Sequence, residues 1–537
     1  MTAAGPRIVD VCRRDSAGRT RAMFGASVGR AALAEFGSIL WRGDDEAHGI
    51  DVEPHVLADL NLDQIFTASG GSAHEAVHRR PLRNVDSVAH RHEIFRDLED
   101  DAVRAAFDAF TAGMRSVREH VKRGQRLHHP QQRNRWQLDA EAVYCRTLEE
   151  LDGALTALPL CSNGLRHWRD WLHDYVSAVP YRELVAEAAD VRADLESVRY
   201  AVHVTGRELV IDRYADQADY SAIIEEAFAR FRAGAVDSRP PMVDPWPDMN
   251  EVEEQVIALV AGQHPRPFRR LEQHAERYRD FIAPAVTRFD AELQFYLDYL
   301  RFVRKLTALE APFCYPEVTT DFADIRVDAA YDAALAIRLA GKSGTLVRND
   351  FRLEGPERII VVTGPNQGGK STFARMFGQL FYLAALGCPV PAVRARVLLP
   401  DTLFTHFVHD DDISDPDGAL AQELLRMRDI VDDITARSVV VLNESFSTTA
   451  AADALRIGGD VVRRIVDRGA VALYVTFLDE LAELGPEVVS MVAGVAAGDE
   501  AVRTFRIERR PPDGLAYAAA VAERHGLTYD AIRARLR

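Results

Sequence analysis

The sequence is poor in the features that mark secreted and membrane proteins. Cysteine occurs only five times in 537 residues, at scattered positions and without a C-x-x-C pair. The sequence therefore indicates neither a disulfide framework nor a zinc site. No apolar run reaches the length of a membrane span, and the N-terminus lacks the apolar core of a signal peptide. We expect a cytoplasmic protein that has no membrane partner.

The sequence also lacks an excess of positive charge. Lysine and arginine number 65 against 82 aspartates and glutamates, so the net charge is -17. This balance disfavours wholesale attachment to nucleic acid, and any contact with DNA would depend on a local basic patch. Apolar residues are plentiful, at 47% of the chain. Together with the length, this content predicts two or three globular domains.

The clearest motif is a glycine-rich loop between a strand and a helix. Ile359–Val362 is an apolar, β-branched run typical of a buried strand. The pattern G-x-x-x-x-G-K-[ST] follows, and the apolar helix Thr372–Leu386 is predicted after it. In such a loop, backbone N–H groups surround a triphosphate, Lys370 reaches the β/γ oxygens and Ser371 ligates Mg²⁺. The predicted nucleotide-binding residues of the loop are Gly364, Pro365, Asn366, Gln367, Gly368, Gly369, Lys370, Ser371 and Thr372.

A second motif follows another apolar strand. Val439–Leu442 is fully apolar, and the polar pair Asn443 and Glu444 comes directly after it. Open α/β sheets bind ligands at the carboxyl ends of their strands. Because an acid at the end of a buried strand needs a partner, we interpret Glu444 as a functional residue. Strands and helices alternate from residue 320 onward, which predicts an α/β domain with a mostly parallel sheet and helices on both faces.

The loop sequence also carries a family resemblance. The segment Thr363–Thr372 resembles the Walker A motif of the MutS mismatch-repair ATPases, except at Gln367, where that family usually has methionine. More loosely, the segments before it resemble the helical core and lever of that family. The resemblance implies ATP and Mg²⁺ as cofactors. It also implies three regions: residues 1–53 of unknown role, a helical core and lever at 54–319 with a hairpin near 201–213, and a P-loop ATPase domain at 320–537.

The resemblance assigns roles to individual residues. Glu444 matches the general base that polarises the attacking water, and with Lys370 it forms the predicted catalytic pair. Asn443 stands where the family has an aspartate beside the metal, so Asn443 and Ser371 are the expected metal-site residues. Leu346 and Val347 match the apolar pair that sandwiches adenine. Because Asn443 brings no negative charge and Phe477 replaces a sensor histidine, we expect slow hydrolysis.

The same comparison implies a homodimer. The segment Asp410–Glu423 occupies the place of a signature loop that donates a serine across the dimer, although Gly418 stands near the serine position. The segment Pro512–Ile532 resembles the terminal helix-turn-helix through which MutS ATPase domains dimerise. We therefore expect a second copy of the chain to complete the site.

The partner of the helical region is left open by the sequence. The basic stretch Lys122–Arg135 is either a phosphate-contacting patch or a solvated loop between helices, and the hairpin with His203, Arg207 and Arg213 is either a DNA contact or purely structural. We expect an ATPase that couples its nucleotide state to DNA, without mismatch reading, because residues 1–53 leave no room for the family's wedge domain. The alternatives are an ATP-switched protein scaffold, favoured by the acidic charge, and a P-loop enzyme acting on a small molecule.

Overall fold

The computed structural model describes residues 36–43, 52–206, 208–215, 248–340, 342, 344–408, 416–447, 449–496, 499–512 and 533. Several predicted features lie outside these residues. They are Arg207 of the hairpin, residues 410–415 of the predicted signature segment and the predicted dimerisation segment beyond Pro512.

The chain forms two compact units. Among the described residues, the helical unit comprises those within Ser116–Arg146 and Trp171–Phe281, and the sheet unit comprises those within Phe36–Arg115, Thr147–Asp170 and Ile282–Arg537. This division follows spatial contacts, whereas the predicted boundaries at residues 53 and 319 followed the motifs and stay a prediction.

The first part of the chain is helical apart from one hairpin. Its elements are α1 Pro54–Asp59, α2 Leu62–Ala68, α3 Glu75–His78, α4 Val85–Glu99, α5 Asp101–Arg126, α6 Pro130–Ala157, α7 Asn163–Ser177, α8 Val179–Glu196, β1 Tyr200–Thr205, β2 Glu208–Arg213, α9 Glu251–Gln263, α10 Pro265–Arg277 and α11 Pro284–Thr307. Residues at the N-termini of several helices explain where those helices begin. Asn250 and Glu253 form a reciprocal capping box at α9, and proline occupies the first turn of α10 and of α11, where its missing N–H costs nothing.

The helical unit has its own apolar core and a buried polar pair. Leu138, Val191 and Leu271 pack together. His274 Nε2 lies 2.6 Å from Glu141 Oε2, and both side chains are buried. The hairpin pairs β1 and β2 as antiparallel strands, with Tyr200 opposite Arg213. Among the described residues, no helix combines the length and apolarity needed to span a membrane.

In the sheet unit, α11 presents one continuous apolar face, as its three- and four-residue spacing predicts. Val286, Phe289, Leu293, Tyr296 and Leu300 are all buried there. The ring of Trp168 stacks on Phe289 with 3.7 Å between centroids. These contacts join α11 to the other helices of the unit.

Two sheets build the remainder of the sheet unit. Their strands are β3 Glu317–Thr319, β4 Asp324–Ala330, β5 Asn349–Glu354, β6 Ile359–Thr363, β7 Arg394–Leu398, β8 Leu403–Phe407, β9 Val439–Asn443, β10 Val471–Val475, β11 Val488–Ala496 and β12 Asp499–Arg509. The large sheet has the order β12-β11-β6-β10-β9-β8, and the small sheet has the order β3-β7-β4-β5. The helices are α12 Ala333–Leu339, α13 Lys370–Ala385, α14 Pro416–Asp433 and α15 Ala451–Arg468. The prediction of a helical region followed along the chain by an α/β domain with a mostly parallel sheet is confirmed.

The register of the large sheet places several strand ends together. β6, β8, β9, β10 and β11 run parallel, and only the edge strand β12 is antiparallel. Val475 pairs with both Val362 and Asn443. The loops that follow β6, β9 and β10 therefore emerge at one edge. Every residue of these three strands is buried, so their polar chemistry is confined to that edge.

Candidate nucleotide-binding site

The glycine-rich loop joins β6 to α13 as its sequence predicts. Gly364 and Gly369 adopt φ angles of 110° and 91°, which disfavour any other residue. A Cβ atom at Gly368 would lie 2.9 Å from the carbonyl oxygen of Pro365. These glycines allow the tight turn and leave Lys370 and Ser371 at the first turn of α13, where helical N–H groups and the helix dipole favour an anion.

A cavity of about 480 Å³ opens beside this loop. Its lining includes six residues of the predicted set, namely Asn366, Gln367, Gly369, Lys370, Ser371 and Thr372. Glu444 and Val347 also line it, whereas Leu346, Gly364, Pro365 and Gly368 lie outside the lining. The cavity thus brings the loop, the acid after β9 and one member of the predicted adenine pair to one place.

Lys370 is held at the floor of this cavity. Its Nζ donates hydrogen bonds to the carbonyl oxygens of Gly364 at 2.7 Å and Pro365 at 3.3 Å. It also lies 4.2 Å from the ring centroid of Phe477, close enough for a cation–π contact. Burial lowers the pKa of Lys370 to about 8, with Glu444 opposing the shift and Arg503 adding to it.

The lowered pKa of Lys370 predicts a pH-dependent affinity for ATP. The ammonium form exists below a pKa of about 8, and only that form attracts phosphate oxygens. Affinity should therefore fall as the pH rises, by about fivefold or more between roughly pH 7.5 and 9. Titrating a fluorescent ATP analogue across this range measures the fall. The same titration on Lys370→Ala should show no such fall, and a parental affinity that stays flat would contradict the assignment.

The end of β9 carries the second set of polar groups. Asn443 is 9% exposed, and its Oδ1 has no hydrogen-bond partner among the described residues. Glu444 is half-buried, and its backbone N–H donates a hydrogen bond to the Val475 carbonyl oxygen at 2.9 Å. An unpartnered buried amide oxygen is costly unless something else satisfies it. Ser371 and Glu444 line the cavity, whereas Asn443 lies outside its lining, next to Glu444 in sequence. Because the Asn443 Oδ1 can accept a hydrogen bond from metal-bound water, Asn443 and Ser371 fit a Mg²⁺ ion held mainly by phosphates and water.

Thr476 and Phe477 follow β10 at the same edge. Thr476 donates its N–H to Val362 at 3.1 Å, which joins β10 to β6. Its hydroxyl accepts the N–H of Leu478 at 3.1 Å. Phe477 is 48% exposed although its ring contacts Lys370. The position predicted for a phosphate sensor therefore carries an aromatic ring beside the lysine.

Sequence reasoning missed three further residues of the lining. They are Tyr331, Asn349 and Phe505, which come from outside the loop at 364–372, and Phe505 lies beside Gly369. Asn349 donates a hydrogen bond to the carbonyl of Phe505 at 3.3 Å and accepts the N–H of Ile507 at 2.8 Å, so it joins β5 to β12. Phe505 has a φ of 56°, but no sequence signal distinguishes it from a surface aromatic residue.

The basic stretch of the helical unit differs from the predicted loop. α5 continues to Arg126 and α6 begins at Pro130, so the loop alternative fails for most of the stretch. Phe110, Met114 and Val117 are buried at helical spacing within α5, and this apolar face continues the helix into the basic stretch. A cleft of about 980 Å³ there is lined by Glu119, His120, Lys122, Arg123, Arg126, Leu127, Arg135, Trp136, Asp139 and Asp248.

Some of the basic side chains at that cleft form ion pairs with acidic residues. Arg135 and Arg192 both bind Asp139 Oδ1, at 2.6 and 2.8 Å. Arg123 lies over the ring of Trp136, with its Cζ 5.5 Å from the centroid. On the hairpin, His203 Nε2 lies 3.8 Å from Asp212 Oδ2. The exposed Lys122 and Arg126 are the members of the cleft best placed to meet an external anion.

Of the predicted signature segment, Gly418 and Glu423 both lie in α14. The Glu423 Oε1 atom accepts the backbone N–H of Phe446 at 2.7 Å. This contact links α14 to the turn that carries Glu444. The predicted serine donation across a dimer stays a prediction.

Comparison with known proteins relates the sheet region to one family. Residues 360–530 match the family model described as MutS domain V. A DNA mismatch repair protein MutS from Chlorobium phaeovibrioides is 29% identical over 235 residues, covering 43% of this chain and 27% of that protein. Another, from Psychrobacter cryohalolentis, is 36% identical over 148 residues, covering 27% of this chain and 14% of that protein. A DNA mismatch repair protein MutS 2 from Halobacterium salinarum is 32% identical over 185 residues, covering 34% of this chain and 21% of that protein. The matched segments thus span about a quarter or less of these relatives.

Proposed function

We propose that this MutS-related chain binds ATP with Mg²⁺, hydrolyses it slowly and uses its nucleotide state to control contacts with DNA. One observation carries the nucleotide part of the proposal. Lys370, Ser371 and Glu444 line the same cavity at the carboxyl edge of the large sheet. That edge is where open α/β sheets bind ligands.

The residues of the cavity have distinct roles in this proposal. Lys370 exchanges its contacts with the Gly364 and Pro365 carbonyls for the β/γ oxygens of ATP. Ser371 and the Asn443 amide would hold a Mg²⁺ ion, which would supply positive charge beside the phosphoryl group. Glu444 accepts a proton from the attacking water. The reaction is slow because Asn443 brings no negative charge to the metal shell.

Replacing Asn443 by aspartate should raise the rate of hydrolysis. The added carboxylate strengthens the hold on Mg²⁺ where the buried amide oxygen has no partner among the described residues. We expect kcat to rise about tenfold, equivalent to about 1.4 kcal/mol of barrier. Steady-state phosphate release measures it. Asn163→Asp, at the start of α7, is the matched control, and an unchanged or lower kcat in Asn443→Asp would contradict the role of this position.

The DNA part of the proposal rests on the helical unit and on the similarity to DNA mismatch repair proteins. Lys122 and Arg126 are exposed beside Arg123 and Trp136 in the cleft between α5 and α6. Side chains of this type contact phosphates, which carry no base information. We therefore propose backbone contacts without mismatch reading. The other proposed partner is a second copy of the chain, joined through the segment predicted at 512–532.

Binding to duplex DNA tests this proposal directly. Affinity should fall with salt with a slope of about -0.9 per phosphate contacted, and it should differ between ADP and a non-hydrolysable ATP analogue. A perfect duplex and one with a single G·T pair should bind equally. Lys122→Gln with Arg126→Gln should reduce both the affinity and the slope, whereas Arg266→Gln with Arg269→Gln, exposed on α10, should not.

Two outcomes would redirect this proposal. A tenfold preference for the mismatched duplex, about 1.4 kcal/mol, would show a mismatch reader in the chain. Absence of binding at low salt with every nucleotide would favour the ATP-switched protein scaffold, which the net charge of -17 also favours.

A further inference from the structure

The turn that carries Glu444 has a strained backbone. Glu444 and Phe446 adopt φ angles of 59° and 62°, in the left-handed region. This region disfavours residues with a Cβ atom. Such a conformation persists only where surrounding contacts determine it, and it is frequent at functional sites. The contacts that hold this turn therefore bear on the orientation of the Glu444 carboxylate.

Two backbone hydrogen bonds fix the ends of the turn. The N–H of Glu444 donates to Val475 at 2.9 Å, and the N–H of Phe446 donates to Glu423 Oε1 at 2.7 Å. The Phe446 side chain is fully buried. These contacts anchor the two left-handed residues. Between them, the Ser445 carbonyl accepts a hydrogen bond from the Tyr474 hydroxyl at 3.4 Å, and the Ser445 side chain makes a contact of its own.

Ser445 is held by a histidine from the neighbouring strand. The Ser445 Oγ lies 2.8 Å from His406 Nδ1, and both side chains are buried, at 6% and 3% exposure. The His406 ring also stacks on Phe446, with 6.3 Å between centroids. A buried hydroxyl–imidazole bond is strong because no water competes for either group.

The strand that bears His406 is itself fixed. Thr405 donates its hydroxyl to Asp59 Oδ2 at 2.6 Å, and both residues are buried. Arg426 of α14 donates to the Thr405 carbonyl at 3.2 Å. The His406 side chain therefore projects from a rigid support next to the end of β9.

We infer that His406 and Ser445 are positioning residues that hold the Glu444 carboxylate in its productive orientation. The inference rests on the proposed function, in which Glu444 is the general base. His406 acts through the Ser445 hydroxyl and the turn. A small displacement of a general base lowers the rate of the chemical step, while nucleotide contacts made by the loop at 364–372 are unaffected.

Kinetics of variants at these two positions separate positioning from simple packing. Ser445→Ala and His406→Leu should each lower kcat about tenfold with KM unchanged. The double variant should be no slower than either single variant, because both changes remove the same interaction. His406→Asn, which retains a hydrogen-bonding group near the position of Nδ1, should recover most of kcat. Ser490→Ala on β11 is the matched control and should keep the parental rate.

Amide hydrogen exchange provides a readout that needs no hydrolysis. In Ser445→Ala, the amides of Glu444 and Phe446 should exchange about tenfold faster or more, while those of β9 stay protected. Parental kcat in Ser445→Ala would overturn the inference, as would a joint loss of kcat, nucleotide affinity and melting temperature. A parental protein that does not hydrolyse ATP would overturn the proposed function. Amide exchange in Ser445→Ala would then still test whether the His406–Ser445 hydrogen bond fixes the turn. Faster exchange supports this role, and unchanged exchange overturns it.

Discussion

Replacing Lys370 by alanine is expected to weaken ATP binding by about 10- to 100-fold. The ammonium group is the cation at the floor of the cavity, 2.7 Å from the Gly364 carbonyl. A hydrogen bond between charged partners contributes about 1.5–3 kcal/mol, and the variant loses it from the bound state. Isothermal titration with a non-hydrolysable ATP analogue measures the loss.

The control for Lys370→Ala is the same substitution at another lysine of the sheet unit. Lys305→Ala on α11 removes an identical charge away from the cavity lining. Its affinity should equal that of the parent. If Lys370→Ala also binds ATP with parental affinity, the cavity beside the loop is not the nucleotide site.

Replacing Glu444 by glutamine is expected to stop hydrolysis and preserve binding. The amide keeps the size of the side chain but cannot accept the proton of the attacking water. Removing a general base costs about 10²- to 10⁴-fold in rate. Single-turnover phosphate release measures the loss, and titration with the ATP analogue checks that affinity stays within about twofold of the parent.

A matched substitution outside the cavity controls for the loss of charge. Glu483→Gln, in the short 3-10 helix Asp479–Glu483, makes the same change in a residue that does not line the cavity. It should leave hydrolysis unchanged. Parental turnover in Glu444→Gln would show that this carboxylate is not the base and would remove the premise of the His406 inference.

The sequence predicted the features of the site that depend on neighbouring residues. Apolar runs predicted β6, β9 and β10, because a strand buried on both faces needs apolar side chains throughout. Glycine spacing predicted the turn at 364–369, because φ angles of 110° and 91° favour glycine. The edge that gathers Lys370 and Glu444 follows from the parallel order of these strands.

The sequence did not predict features that depend on tertiary pairing. Asn349 and Phe505 meet through a hydrogen bond between residues 156 positions apart, and no local pattern encodes their proximity. His406 and Ser445 are 39 positions apart, and each residue alone resembles an ordinary polar residue at a strand end. Likewise, the basic side chains at the end of α5 obscured a helical periodicity that burial of Phe110, Met114 and Val117 reveals.

Asn349 has a consequence for the stability of the domain. Its side chain joins β5 of the small sheet to β12 of the large sheet, and residues from both sheets line the cavity. A ligand in the cavity therefore contributes its binding free energy to the packing of one sheet against the other. At a concentration 100 times its Kd, this linkage adds about 2.7 kcal/mol to the free energy of unfolding. Conversely, a substitution that loosens the small sheet weakens nucleotide binding without touching the nucleotide.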